Sequence, residues 1–141
     1  MESRITIITL GVKDFKKSYN FYTALGFKTD AKPEDSIAFL KTSGTVLAIY
    51  PFDKLAEDIG TDMSTEKSAF SGITLAHNVK QKSDVNAVLT QAQMAGGKIV
   101  KPAQDAFWGG YHGYFSDPDG YFLEVAYFDQ FKYDELGNLE L

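Results

Sequence analysis

Residues 113–124, GYFSDPDGYFLE, decide how the rest of the chain is read. The central Asp117-Pro118-Asp119-Gly120 is a turn, because proline presets φ and glycine supplies a positive φ without strain. Both flanks are rich in aromatic residues, which suit strands. The stretch therefore predicts two strands joined by a turn. Side chains alternate between the faces of a strand, so Phe122, Glu124, Ala126 and Phe128 share one face and Leu123, Val125 and Tyr127 the other. That alternation sets the carboxylate of Glu124 inside a strand built for burial. Such groups are seldom buried unless hydrogen-bonded, ion-paired or bound to metal.

Upstream, the pattern of the chain repeats. RITIITLGV (4–12) is dense in β-branched residues and reads as a strand. Asp14 is a helix N-cap candidate, Phe15, Tyr19, Tyr22 and Leu25 recur at helical spacing, and Gly26 supplies the stop. Residues 36–40 and 45–50 read as short strands joined at Thr42-Ser43-Gly44. GITLAHNV (72–79) reads as another strand. Ser83 or Asp84 is the candidate cap of a second helix, with Val85, Val88, Leu89 and Ala92 on one stripe and Gly96-Gly97 at its end. Strands over 98–100, about 111–115 and 121–128 follow. "LGVKDF…ALGFK" and "HNVKQK…MAGGK" thus share one plan of strand, Val-Lys, capped helix, Gly and Lys.

The expected fold is α+β: two βαβββ modules forming a curved mixed sheet around a cleft, with the helices on its outer face. The expected organisation is a single domain over 1–141. Module one covers about 1–55, a polar connecting segment with a short helical piece about 51–71, module two about 72–128, and a tail wraps the surface over 129–141. Clefts between repeated units are favoured sites for small molecules.

Composition narrows the function classes. The chain is 44% hydrophobic and 14% aromatic, enough for a core with aromatic side chains to spare for a pocket wall. A net charge of −5 argues against a nucleic-acid binder, which needs a basic stripe. With no cysteine, thiolate zinc sites, iron–sulfur clusters and cysteine nucleophiles are excluded. The N-terminal MESRITIITL has no basic region followed by a long apolar run, and no window approaches the roughly 18 apolar residues of a membrane span. A cytoplasmic protein without a membrane partner is the expectation.

"VKDFKKSYNFYTALGF" (12–27) and "FSDPDGYFLEVAY" (115–127) resemble the glyoxalase/bleomycin-resistance/extradiol-dioxygenase superfamily, the vicinal oxygen chelate proteins. The resemblance covers nearly the whole chain. It implies a homodimer and, in the family's enzymes, one divalent metal held from four strand positions. Those positions fall on Ile7, Ala48, Thr74 and Glu124. Ile7 and Ala48 carry no donor atom and Thr74 only a hydroxyl, whereas a divalent ion needs several N or O donors. The expectation is therefore no metal and no other cofactor.

What remains is a binding protein for a small apolar or aromatic molecule, with Ile7, Ala48, Tyr50, Thr74, Trp108, His112 and Glu124 as the candidate ligand-binding residues. Trp108 precedes a glycine pair and is placed to stack on a flat ligand. His112 stands on a strand expected beside that of Glu124. His77 alternates to the face opposite Thr74 and reads as a structural histidine. The alternative is a glyoxalase-like lyase or an isomerase that uses Glu124 as acid or base, since an apolar wall disfavours the charged carboxylate. The third possibility is an interaction or structural module whose cleft is filled by side chains, with Glu124 a tethered structural carboxylate.

Overall fold

The computed structural model describes residues 5–60 and 72–140. The chain divides between residues 71 and 72 into two compact units.

The first unit runs β1 (Ile7–Val12), α1 (Phe15–Ala24), β2 (Ala38–Leu40), β3 (Val46–Pro51) and α2 (Phe52–Ile59). The sheet order is β1-β3-β2, with β1 parallel and β2 antiparallel to β3. Asp14 caps α1, its carboxylate accepting from the Lys17 amide at 3.0 Å. Phe21 and Tyr22 of α1 are fully buried, as are Val12, Leu40 and Ile49 of the strands. Burial of each such side chain stabilises by about 1.5–3 kcal/mol. The opposite sheet face carries Ile7, Thr9 and Gly11 beside Val46, Ala48 and Tyr50. Helix α2 approaches this second face, since a Cβ on Gly11 would lie 3.0 Å from the Phe52 ring. The helical piece expected within 51–71 is α2; residues 61–71 lie outside the described residues.

The second unit runs β4 (Thr74–Asn78), α3 (Lys82–Met94), β5 (Lys98–Asp105), β6 (Tyr111–Ser116), β7 (Phe122–Tyr127), β8 (Lys132–Tyr133) and β9 (Leu139–Glu140). Its main sheet has the order β4-β7-β6-β5, parallel between β4 and β7 and antiparallel elsewhere. The DPDG turn joins β6 to β7. Asp117 Oδ1 accepts from the amides of Asp119 at 3.0 Å and Tyr121 at 2.8 Å, and Gly120 takes φ 89°. Val85, Leu89 and Ala92 form the buried stripe of α3.

Three local expectations are corrected. Helix α3 starts at Lys82 after an N-cap Gln81 that makes no side-chain capping bond, so Ser83 and Asp84 sit in its first turn rather than capping it. The strand expected over 98–100 continues to Asp105, because two register shifts let it pass Pro102 while staying paired to β6. The tail is no plain wrap: β8 and β9 form a hairpin whose turn is held by Asp134, and Tyr133 donates to the Val79 carbonyl.

The two units repeat one connection pattern. In the first, the strand after the helix is reduced to a single antiparallel bridge, Lys28 to Lys41. The intervening residues explain this: KTDAKPED (28–35) carries Pro33 and charges where a strand needs β-branched residues.

Candidate functional site

The register of the second sheet gathers the site. Tyr114 and His112 on β6 face Glu124 and Ala126 on β7, while Thr74 and Ala76 on β4 face Phe122 and Glu124. Cross-strand partners share a face, so His112, Tyr114, Glu124 and Thr74 all project from one side. The opposite side belongs to α3. A Cβ on Gly113 would stand 2.7 Å from Leu89 Cδ1, which shows how closely the helix approaches there. His77 pairs with Val125 and so lies on the face away from Glu124. Its side chain is exposed, yet desolvation by the surrounding protein lowers its pKa.

At the centre, His112 Nδ1 lies 2.6 Å from Glu124 Oε1 and His112 Nε2 lies 2.9 Å from Lys101 Nζ. These partners fix the tautomer. An ammonium only donates and a carboxylate only accepts, so Nε2 must accept from Lys101 and Nδ1 must carry the proton donated to Glu124. The three side chains form a directed chain, from cation through imidazole to carboxylate. Tyr114 stands beside it. Its phenol pKa is raised first by burial, then by its hydrogen bond to Glu124 and by that residue's charge. Glu124 is held by His112, and its side chain is 18% exposed against 9% for that of His112. No buried side-chain polar atom among the described residues lacks a partner.

Aromatic edges wall this chain. The His112 ring meets Trp108 edge-on at 5.5 Å and Tyr114 at 5.4 Å, and Trp108 meets Phe128 at 5.6 Å. Such contacts contribute about 0.5–1.5 kcal/mol each beyond area burial. Trp108 lies folded back over Gly110, where a Cβ would stand 1.6 Å from Cζ3 of the indole. Gly110 is what gives the ring its place.

The structure thus brings Trp108, His112 and Glu124 together. Thr74 shares their face, but its hydroxyl donates to the Phe122 carbonyl at 3.1 Å. In the first unit Ile7, Ala48 and Tyr50 share a sheet face, with Ile7 48% exposed and Ala48 fully buried. Lys101 is the residue that the sequence did not reveal. Strict alternation from Lys98 gives no reason to expect it beside Tyr114; the one signal was Pro102, which marks an edge strand or a bulge.

The metal that the resemblance implies does not fit these residues. The side chains of Ile7 and Ala48 offer no donor, the Thr74 hydroxyl is given to a backbone carbonyl, and Glu124 is bonded to His112. Among the described residues no group of three or more His, Asp or Glu side chains is disposed to hold an ion.

Fold and motifs find the same counterpart in known proteins. A sequence model of the Glyoxalase/Bleomycin resistance protein/Dioxygenase superfamily matches residues 4–125, and the chain belongs to that superfamily. Among solved structures it is similar to a glyoxalase-related enzyme from Fulvimarina pelagi, with 29% identity, a TM-score of 0.88, and coverage of 99% of this chain and 98% of that one. The fold also matches a glyoxalase/bleomycin resistance protein/dioxygenase family enzyme from Burkholderia phytofirmans PsJN (16% identity, TM-score 0.77, 89% and 98% covered). A third match is the lactoylglutathione lyase from Agrobacterium tumefaciens (19% identity, TM-score 0.65, 90% and 95% covered). No curated protein matches the sequence.

Proposed function

We propose that this member of the superfamily binds a small, flat, apolar or aromatic molecule, and does so without a divalent metal or other cofactor. The single observation that carries the reading is the Glu124–His112 pair at 2.6 Å inside a wall of Trp108, Tyr114 and Phe128. Aromatic edges supply contact area, and one oriented polar pair supplies selectivity. Thr74, on the same face, joins the proposed binding set, and Ile7, Ala48 and Tyr50 share one face of the first unit's own sheet. In this reading the protein acts as a cytoplasmic homodimer, with neither nucleic acid nor membrane as partner.

The same pair favours a second reading, a lyase or isomerase in which Glu124 takes and returns a proton. A carboxylate held by His112 is oriented as a general base must be. The neighbours of known enzyme type lend that reading analogy only.

One experiment addresses the binding reading: a thermal-shift screen of aromatic compounds on chelator-treated protein, with elemental analysis alongside. Stabilisation that rises with concentration, in protein holding no stoichiometric metal, is the expected result. One tightly held divalent ion per chain would sink it. For the second reading, a Glu124→Gln protein with undiminished turnover on an identified substrate excludes Glu124 as the base.

A further inference from the structure

Lys101 reaches the site through an irregularity of the backbone. At the start of the β5–β6 ladder Lys98 faces Ser116 and Ile99 faces Phe115. Continued without a break, that register would set Val100 opposite Tyr114 and Pro102 opposite His112. The strand instead shifts twice, between Ile99 and Lys101 and again between Lys101 and Gln104, so that Lys101 faces Tyr114 and Gln104 faces His112. The first shift exchanges an apolar side chain for an ammonium on the site face. Bulges beside functional sites commonly re-aim a side chain in this way.

The re-aimed cation has a specific setting. Lys101 Nζ spends one N–H on His112 Nε2 and stands 5.9 Å from the Tyr114 ring centroid. Among the described residues no carboxylate lies within ion-pair distance of it, whereas Lys41, Lys54 and Lys82 pair with Asp30, Glu57 and Asp105. Glu124 is the nearest acid in the chain of contacts, but the imidazole stands between them. The ammonium has two further N–H donors beyond the one given to His112 and no direct counter-ion among the described residues. A ligand that brings an anionic oxygen to Nζ supplies that counter-ion, and its flat body then lies against Trp108 and Tyr114.

We infer that Lys101 is a specificity-determining residue that binds an anionic oxygen, and that the ligand is a planar or aromatic carboxylate or a comparable oxyanion. The inference rests on the reading of this face as a small-molecule site. It adds the charge of the ligand and the residue that senses it.

Matched acids and amides test it: benzoate with benzamide, phenylacetate with phenylacetamide, and salicylate with salicylamide, by calorimetric titration at low salt. At least one acid is expected to bind about tenfold or more tightly than its amide, the difference expected of a charge-assisted contact. Lys101→Met should erase that preference, read as the ratio of acid to amide affinity within the variant, and Lys101→Arg, which keeps the charge, should retain most of it. The acid–amide comparison in the unmodified protein needs no variant, so it stands even if a variant misfolds. Equal binding of acids and amides leaves the small-molecule reading intact and overturns the inference. So does an acid preference that survives in Lys101→Met. If no acid and no amide binds, both fall together.

Discussion

His112 is buried and holds a donor on one ring nitrogen and an acceptor on the other. Truncating it to alanine removes the ring that separates Lys101 from Glu124 and leaves both without that partner. A loss of about 2–4 kcal/mol follows from stranding hydrogen-bonded polar groups and opening a cavity, and urea unfolding of His112→Ala would show it. Glu124 governs Tyr114 in turn. The Tyr114 pKa is raised, by burial before the Glu124 interactions, so the folded state favours the protonated phenol. A group with a raised folded pKa contributes stability below its unfolded pKa, near 10, that is lost as pH rises through the folded value. Tyr133, raised by burial first and then by the charge of Tyr127, adds to the same alkaline loss. In Glu124→Gln the charge disappears but burial remains. Spectrophotometric titration should then show one tyrosine moving down toward the ordinary range without reaching it, and a smaller loss of stability in base than in the unmodified protein. An unchanged tyrosine titration would contradict the Tyr114–Glu124 contact.

At the scale of elements, the loop and cap chemistry is open to direct test. Gly110→Ala sets a methyl into the indole of Trp108, so the ring must swing away from His112 and Phe128. Trp108 is the sole tryptophan, so its emission reports the move cleanly. A red shift and a destabilisation of about 1–3 kcal/mol, typical of overpacking, are expected. Helix α3 offers the opposite case. Its N-cap Gln81 has extended backbone (φ −132°, ψ 145°) but no side-chain bond to the first turn. Gln81→Ser should add about 0.5–1 kcal/mol, read as a higher urea midpoint. These two elements also mark how far the sequence could be read. Helix positions and the DPDG turn follow from apolar spacing, a cap at Asp14 and glycine stops, which are local signals. The α3 cap was misplaced because Ser83 and Asp84 are good capping residues that tertiary packing left inside the first turn. Strand β5 was read three residues long because Pro102 breaks the local pattern, and what carries the strand past it is pairing to β6. Lys101 was missed for the same reason, since a bulge reverses alternation only once the partner strand is known.

For the whole molecule, the family and the repeated connection pattern were legible because strand, capped helix and glycine recur in one order in both halves. The second unit keeps all four strands, whereas the first keeps three and the Lys28–Lys41 bridge. The residue types at Ile7 and Ala48 were equally legible, because they do not depend on geometry: neither side chain carries a lone pair for a metal. What the sequence could not supply was where Glu124 turned once that role was closed to it. Its Oε1 is engaged by His112, and Tyr114 is its cross-strand partner, both placed on β6 by register. A metal would have to displace His112 and find the rest of its shell elsewhere. Chelator treatment followed by zinc, nickel or manganese therefore makes a test of the entire fold. A genuine site, occupied a hundredfold above its Kd, would raise stability by about 2.7 kcal/mol, or about 8 °C for a chain of this size. The expected change in Tm is under about 1 °C for each ion in either direction. A saturable upward shift with one ion per chain would instead mean that the donor reading of Ile7, Ala48, Thr74 and Glu124 is wrong.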